Sequence, residues 1–355
     1  MNNGTAPIAA ADRQPSAIAE TVKSGLRRRH ASELRLKIYG LMAIGFALVA
    51  LFILLLSVIS KGYSAFQQTH INLEVYFDAA KIDPDGTRKI DDLRRGDYEG
   101  VARTAIRSAF PHAKGRRDRR ALGKMLSTGA ADKLRRMVLS NPKIIGTRQH
   151  VWLLASDEID MLRKGYAKRN PDGSATKVSR KQVAWFDALA KKGAVERQFN
   201  WRFLTGGDSR EPEQAGIWGA VVGSGLTMLV TLLLAFPVGV MAAIYLEEFA
   251  PKNVMHHVLP LSMPGILTGT IIGMAQALGE TAPLLMVGMV AFIVDVPSGI
   301  TDAATVLPVQ VYIWADSPER AFEEKTAAAI MVLLAFLILM NAIAIVLRKK
   351  FERRW

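Results

Sequence analysis

The stretch Ile38–Ser60, IYGLMAIGFALVALFILLLSVIS, decides what kind of fold this chain adopts. It is an uncharged apolar run of 23 residues, and a helix of that length rises about 34 Å, enough to cross a bilayer. Three similar runs follow at residues 219–246, 264–294 and 326–347, and Glu280 is the only charged residue in them. Hydrophobic residues make up 50% of the chain, more than an ordinary soluble domain of this length needs. The sequence therefore predicts an α-helical polytopic membrane protein with about four membrane helices.

Basic residues indicate how these helices are oriented. Six Lys or Arg residues lie between positions 23 and 37, whereas Lys61 is the only one in the 20 positions after the first run. Five more lie in residues 348–355, behind the last run. Since cytoplasmic flanks carry the excess of Lys and Arg, both termini are expected in the cytoplasm. Residues 38–60 then form an uncleaved signal anchor. Residues 1–37 form a largely disordered basic tail, and residues 348–355 a second basic tail.

Residues 61–212 are predicted to form a soluble domain outside the cytoplasm. Between positions 66 and 212 there are 30 Lys and Arg residues against 18 Asp and Glu residues, a net charge of +12. Ile71–Phe77 alternates in polarity like a strand, while Leu134, Met137 and Val138 recur at helical spacing. These patterns predict a small mixed α+β domain. Turns are predicted at Pro84–Gly86 and Asn170–Gly173, and an N-cap at Ser179 before the helical pattern of Val183, Trp185, Phe186 and Leu189.

The chain lacks the pattern of a nucleotide-hydrolysing loop. Such a loop reads Gly-x-x-x-x-Gly-Lys-Ser/Thr, because backbone amides and a lysine must surround the phosphates. The nearest stretch, Gly115 with Gly123-Lys124-Met125, has the wrong glycine spacing and no hydroxyl residue. We therefore expect neither nucleotide hydrolysis nor other enzymatic activity from this chain.

Two clusters have ordinary explanations that we favour. His256 and His257 are adjacent, so on a helix they point about 100° apart, and no further His or Cys lies nearby. We interpret them as a polar interfacial pair and predict no metal site. Four arginines lie between Arg116 and Arg120, without interleaved aromatic residues that could stack on bases. They form either an anion-attracting surface or a solvated helix face, and the sequence favours the latter. No nucleic acid is expected as a partner.

The third apolar run carries the features most typical of a transport function. Gly265, Gly269 and Gly273 recur every four residues, so they form one small face that lets another helix approach closely in lipid. Glu280 follows in the same run, where a carboxylate costs about 2.5–3.5 kcal/mol on insertion scales. Such a residue is by default a functional one. We expect helix packing along the glycine face and a functional role for Glu280.

Four segments together resemble the permease subunits of ATP-binding-cassette importers. They are Gly216–Ser224, Tyr245–Ala250, Val258–Pro260 and Gly279–Pro283. The match is specifically to the A-type membrane subunit of the bacterial phosphate-specific transport system, and it covers about residues 215–355. The basic domain resembles an extension found in a subset of these permeases. The resemblance implies a type I importer permease core at residues 213–347, in the inner membrane of a bacterium.

The resemblance also implies a mechanism and a set of partners. The chain would line a path for phosphate with a second permease subunit, driven by a cytoplasmic ATPase dimer and supplied by an extracytoplasmic phosphate-binding protein. ATP would be used by the ATPase subunits, and no cofactor by this chain. The translocation path would include Gln276, Gly279, Glu280 and Thr281.

The chain departs from the family in its coupling loop. Such permeases carry Glu-Ala-Ala, three residues, Gly, nine residues and Ile-x-Leu-Pro where they contact the ATPase, and only the tail remains at residues 254–262. About six membrane helices are usual, against four predicted here, which indicates an internally shortened permease. The alternative is a membrane-anchored interaction protein, or a transport-defective permease, whose basic outer domain binds a partner. The coupling remnant consists of His256, His257, Val258, Leu259 and Pro260.

Overall fold

The computed structural model describes residues 17–247, the helical positions 265, 266, 268, 269, 272, 273, 276 and 285, and residues 292–351. The chain divides into two units, residues 1–57 and residues 58–355. Helix α1 runs from Ala17 to Gly62 and contains the whole first apolar run. It begins 21 residues before that run, inside the segment predicted as a largely disordered tail. The reason is composition, because Ala, Glu, Lys, Arg and Leu dominate these positions and all favour the helical state.

Three helices in the described part of the chain are long and apolar enough to cross a membrane. The spans are Ser32–Phe66, Trp218–Met241 and Ala321–Val346. The first span lies mostly in α1. The second lies in α10 at Trp218–Glu247 and the third in α12 at Ala321–Phe351, and these two helices contain the second and fourth predicted runs. Large apolar side chains on these helices point outward, as a lipid environment requires. Most of the third predicted run, residues 264–294, lies outside the described residues.

The domain at residues 61–212, which we call the outer domain after its predicted side of the membrane, is built on a three-stranded antiparallel sheet. Strand β1 at Gln67–Tyr76 lies between β2 at Arg148–Leu154 and β3 at Val195–Phe199. Ile71 pairs with Leu153 on one side and with Val195 on the other. The alternation that predicts a strand is real, since Ile71, Leu73 and Val75 are buried while Glu74 and Tyr76 are exposed.

Short helices cover this sheet and close one hydrophobic core around the inward residues of β1. The core includes Phe77, Ile106, Leu134 and Phe186. The predicted mixed α+β character of this domain is therefore observed. The helices are α2 at Ala79–Ile82, α3 at Ile90–Arg95, α4 at Tyr98–Ser108, α5 at Arg116–Gly123, α6 at Gly129–Ser140, α7 at Asp157–Lys164, α8 at Arg180–Lys191 and α9 at Trp201–Thr205.

Local signals in the sequence fix several of these boundaries. Ser179 caps α8 through a capping box with Gln182, as its position predicts. Gly86 and Gly173 lie in the two predicted turns with φ of +66° and +81°, a region that side chains with a Cβ rarely adopt.

A second core joins the outer domain to the membrane helices. It contains Phe203 of α9, Ile217 before α10, Trp314 of α11 at Leu307–Ala315, and Phe322 and Ala328 of α12. The rings of Trp314 and Phe322 are stacked with centroids 5.9 Å apart. Burying each such side chain contributes about 1.5–3 kcal/mol, so the outer domain is packed onto the ends of these helices and is not merely tethered to them.

Gly62 shows how closely the elements approach in this second core. A Cβ built on Gly62 would lie 2.8 Å from backbone atoms of Ala327 and Ala328. Real Cβ atoms do not come so near to backbone, so the end of α1 can lie against α12 only because residue 62 is glycine.

Candidate functional site

A buried ion cluster lies where the outer domain meets the start of α12. The ammonium of Lys164 lies 2.6 Å from Oδ2 of Asp160 and 2.7 Å from Oε1 of Glu324. The side chains of Lys164, Asp160 and Glu324 are only 2%, 9% and 6% exposed. We call these three residues the junction cluster. It connects α7 of the outer domain to the first turn of a membrane span.

The two helices bring these charges together for simple reasons. Asp160 and Lys164 are four residues apart on α7, so they share one face, in the order that also suits the helix dipole. Glu324 lies in the first turn of α12, where a carboxylate is favoured by the partial positive charge of the helix N-terminus. The cluster therefore combines a local pair with one contact that bridges 160 residues of sequence.

Further donors satisfy both carboxylates of the junction cluster. The backbone N–H of Thr69 donates to Oδ1 of Asp160 at 2.8 Å. The hydroxyl of Ser64 donates to Oε2 of Glu324 at 2.6 Å and accepts from the Tyr166 hydroxyl at 3.0 Å. A buried carboxylate is costly unless it is paired and hydrogen-bonded, and each of these two has both kinds of partner.

The electrostatics of Lys164 follow from this geometry. Burial alone would lower its pKa by disfavouring the charged form, but the two carboxylates act in the opposite direction. Their combined attraction outweighs burial, so the pKa of Lys164 lies above its ordinary value. Lys164 is therefore charged throughout the physiological pH range, and the ion pairs of the junction cluster persist across it.

A second set of polar contacts holds the segment that leads into α10. Asp208 is buried, and its Oδ1 accepts from the indole Nε1 of Trp314 at 2.9 Å. Burial raises the pKa of Asp208, although bonds from Gln310, Trp314 and the Ser209 backbone partly offset it. Lys325, the neighbour of Glu324, has its Nζ 4.9 Å from the ring centroid of Phe203. These contacts fix α11 to the loop before α10, and α12 to α9.

Glu213 is a carboxyl group in this region whose pKa lies near neutral pH. Its side chain is buried, and burial raises its pKa to about 7. A hydrogen bond from Ser127 lowers it in part, while the charges of Asp157 and Glu211 raise it further. Its backbone carbonyl accepts a hydrogen bond from the Gln68 side chain. Charge at Glu213 therefore varies with pH in a segment that is packed against β1.

Most of the residues that the sequence predicts for transport are not among those that the structure describes. Gly279, Glu280 and Thr281 lie outside the described residues, and so does the coupling remnant from His256 to Pro260. Gln276 lies in helical conformation with its side chain exposed. These assignments remain predictions.

The glycine face of the third run lines a cleft against α10. Gly265, Gly269 and Gly273 lie on one side, and residues of α10 between Thr231 and Val240 on the other, around a volume of about 490 Å³. A Cβ built on any of the three glycines would have open space around it. The close helix contact that the glycine face predicts therefore stays a prediction.

The junction cluster is not among the sites predicted from the sequence. Its local signal was present, since Asp160 and Lys164 have the spacing of a helical ion pair, but such pairs are usually solvent-exposed. A stronger signal is that Glu324 and Lys325 directly precede an apolar run, because charged side chains at the end of a membrane helix are usually paired with other polar groups. Neither pattern identifies its partner, because the contact depends on how the outer domain packs.

Fold and site together define a helical polytopic membrane protein with a small sheet domain clamped to it. The family described as a domain of unknown function (DUF3333) matches residues 23–172, which contain most of α1 and most of the outer domain. No solved structure matches the chain.

Similarity to characterised proteins is confined to a part of the chain. It is 32% identical over 100 residues to the phosphate transport system permease protein PstA 2 of Mycobacterium bovis and, equally, of Mycobacterium tuberculosis. That match covers 28% of this chain and 33% of the relative. The phosphate transport system permease protein PstA 1 of Mycobacterium tuberculosis is 28% identical over 103 residues, covering 29% of this chain and 34% of the relative. The chain thus spans about a third of the length of the curated relatives it matches.

Proposed function

We propose that this chain is a permease subunit of an ATP-driven importer of inorganic phosphate in a bacterial inner membrane. The observation that carries the proposal is the similarity to PstA phosphate permeases in a chain with three apolar helices of membrane-spanning length. A second permease subunit would complete the path, and a cytoplasmic ATPase dimer would drive it. An extracytoplasmic phosphate-binding protein would supply the substrate.

The chemistry of the chain is compatible with a subunit that does not itself hydrolyse ATP. Its nearest approach to a phosphate-cradling loop is Gly115 with Gly123-Lys124-Met125, which lacks both the glycine spacing and the hydroxyl. In the proposed mechanism, ATP binding at the partner subunits reorients the membrane helices. The remnant from His256 to Pro260 would receive that movement, and Glu280 with its polar neighbours would border the path.

The junction cluster gives the outer domain a role in this mechanism. A tilt of α12 moves Glu324, and Glu324 is bonded to Lys164 of α7 and to Ser64. The outer domain must therefore follow α12 as one body, or the cluster must break. Breaking a buried pair costs about 3–5 kcal/mol, so following the helix is favoured. The outer domain would report the state of the membrane helices to the extracytoplasmic side.

Copurification tests the assembly on which this proposal depends. The tagged chain would be expressed with the second permease, ATPase and binding-protein subunits from the same source and extracted in mild detergent. We expect both the second permease and the ATPase to be retained. Leu259→Asp should reduce retention of the ATPase while leaving the second permease bound, because only the coupling remnant is altered. Capture of neither subunit would contradict the proposal and would favour a membrane-anchored interaction protein.

A further inference from the structure

A large basic cleft opens on the outer domain, away from the junction cluster. It lies between α4, α5 and the start of α6 and has a volume of about 1250 Å³. Eight Lys and Arg side chains between Arg103 and Lys124 line it, against a single carboxylate, Glu99. The four arginines of α5 are not simply a solvated face, because they share this concavity with Arg103 and Arg107 of α4.

The positive charge of the basic cleft has almost no counter-charge in the structure. Within the described part of the chain, Arg103 pairs with Glu99, and the other seven cations of the cleft make no ion pair. Asp118 is the carboxylate nearest in sequence to the arginines, but it pairs with Lys181 of α8 at 2.8 Å. Asp118 therefore does not neutralise the arginines, and the cleft keeps its positive charge.

Both walls of the basic cleft are held in place. Val101, Ala105 and Ile106 anchor α4 in the core, so the opposite face carries Arg103 and Arg107 outward. Leu122 is fully buried, and the carbonyl of Ala121 accepts from the Gln182 side chain at 3.0 Å. A site whose walls are fixed loses little conformational entropy when a ligand binds.

We propose that the basic cleft binds several phosphate groups at once. The planar guanidinium presents paired donors that match phosphate oxygens, so converging arginines select phosphate over a simple halide. Among the residues that the structure describes, the lining contains no aromatic side chain that could stack on a base, which argues against nucleic acid. Seven cations without an ion pair, in a volume of this size, exceed what a single orthophosphate would neutralise. The inference is independent of transport, because it follows from the cleft alone.

The position of the basic cleft allows two sources for these phosphate groups. Thr128 forms one end of the cleft, and its hydroxyl donates to Glu211 at 2.5 Å and accepts from Gln214 at 2.5 Å. Gln214 is four residues before Trp218, where α10 begins, so at most about 14 Å of chain separates them. Phosphate groups can therefore reach the cleft from solution as a polyphosphate, or from the membrane surface as lipid headgroups.

A calorimetric titration of the full-length protein tests the proposal. The probe is tripolyphosphate, and the protein is held in nanodiscs of phosphatidylcholine. We expect saturable binding that is at least tenfold tighter than that of sulfate at equal ionic strength. Arg119→Gln/Arg120→Gln should weaken it at least tenfold. The matched control Lys191→Gln/Lys192→Gln removes the same charge from exposed positions outside the cleft, and it should change the affinity less than twofold.

A second arm distinguishes the two sources. The titration is repeated in nanodiscs that contain phosphatidylglycerol. An at least tenfold loss of tripolyphosphate affinity shows that lipid headgroups occupy the cleft, whereas unchanged affinity shows that the ligand is soluble. Either result supports the shared phosphate chemistry. Equal binding by both double variants, or binding no tighter than that of sulfate, overturns the proposal. Because the titration needs neither partner subunits nor uptake, its failure is separate from failure of the proposed transport function.

Discussion

Replacing Lys164 by methionine tests whether the junction cluster stabilises the attachment of the outer domain. The change keeps an apolar stem of similar length but leaves the carboxylates of Asp160 and Glu324 facing each other in a buried site. Removing one partner of a buried ion pair costs about 3–5 kcal/mol. Each carboxylate retains one donor, Thr69 N–H or the Ser64 hydroxyl, so we take the lower end, about 3 kcal/mol.

This loss of stability is large enough to measure by thermal unfolding. For a domain of about 150 residues, 1 kcal/mol shifts Tm by about 2–4 °C, so Lys164→Met should lower Tm by about 6–12 °C. The full-length protein in detergent would be followed by tryptophan fluorescence at pH 7.5. Because the pKa of Lys164 is raised above its ordinary value of 10.5, its stabilising contribution is complete below that pH. It is lost only as the pH rises through the higher folded-state pKa.

Two further variants make the test specific. Lys168→Met removes a lysine from an exposed position four residues further along the chain and should leave Tm within about 1 °C. Lys164→Met/Glu324→Gln also neutralises one of the facing carboxylates, so it should recover part of the loss. If Lys164→Met unfolds at the same temperature as Lys168→Met, the buried cluster does not stabilise the junction and the reasoning fails.

Three other expectations concern single residues. Burial raises the pKa of Glu213 in the folded protein to about 7. Between about pH 4.5 and 7 the folded protein therefore keeps a proton on Glu213 that the unfolded chain releases, so the free energy of unfolding falls as the pH rises through this range. Glu213→Gln should remove that fall, gaining about 3 kcal/mol at pH 8 and nothing at pH 4, and parallel pH profiles of Tm would contradict this. Gly269→Leu should reduce crosslinking to the second permease subunit more than Leu267→Phe does, since bulk on the glycine face blocks helix approach; equal losses would remove that face from the account. Glu280→Gln should reduce phosphate uptake while insertion and assembly stay normal, and normal uptake would make Glu280 a tolerated structural residue.

Elements with a strong local signal could be predicted from the sequence. The apolar runs 38–60, 219–246 and 326–347 lie inside α1, α10 and α12 because length and hydrophobicity alone determine such helices. The alternation in Ile71–Phe77 marks β1, and Ser179 caps α8, because both signals act over a few residues. Periodicity and capping need no knowledge of the rest of the chain.

Features that depend on packing between distant segments could not be predicted in this way. The bond between Lys164 and Glu324 joins residues 160 positions apart. The order β2-β1-β3 places β1 in the middle, although nothing in its sequence distinguishes a central strand from an edge strand. The arginines of α5 look solvated in the sequence, and only the position of α4 turns them into one wall of a cleft. The tertiary arrangement creates each of these sites.

Uptake of radiolabelled phosphate tests the central claim most directly. Cells that lack their own phosphate importers would express the second permease, the ATPase and the binding protein, with or without this chain. A third strain would carry the chain together with an ATPase whose catalytic carboxylate is changed to an amide. The account predicts an initial rate at least tenfold higher with the chain than without it, and a return to background with the inactive ATPase. Equal rates with and without the chain, in membranes where the complex is shown to assemble, would contradict it.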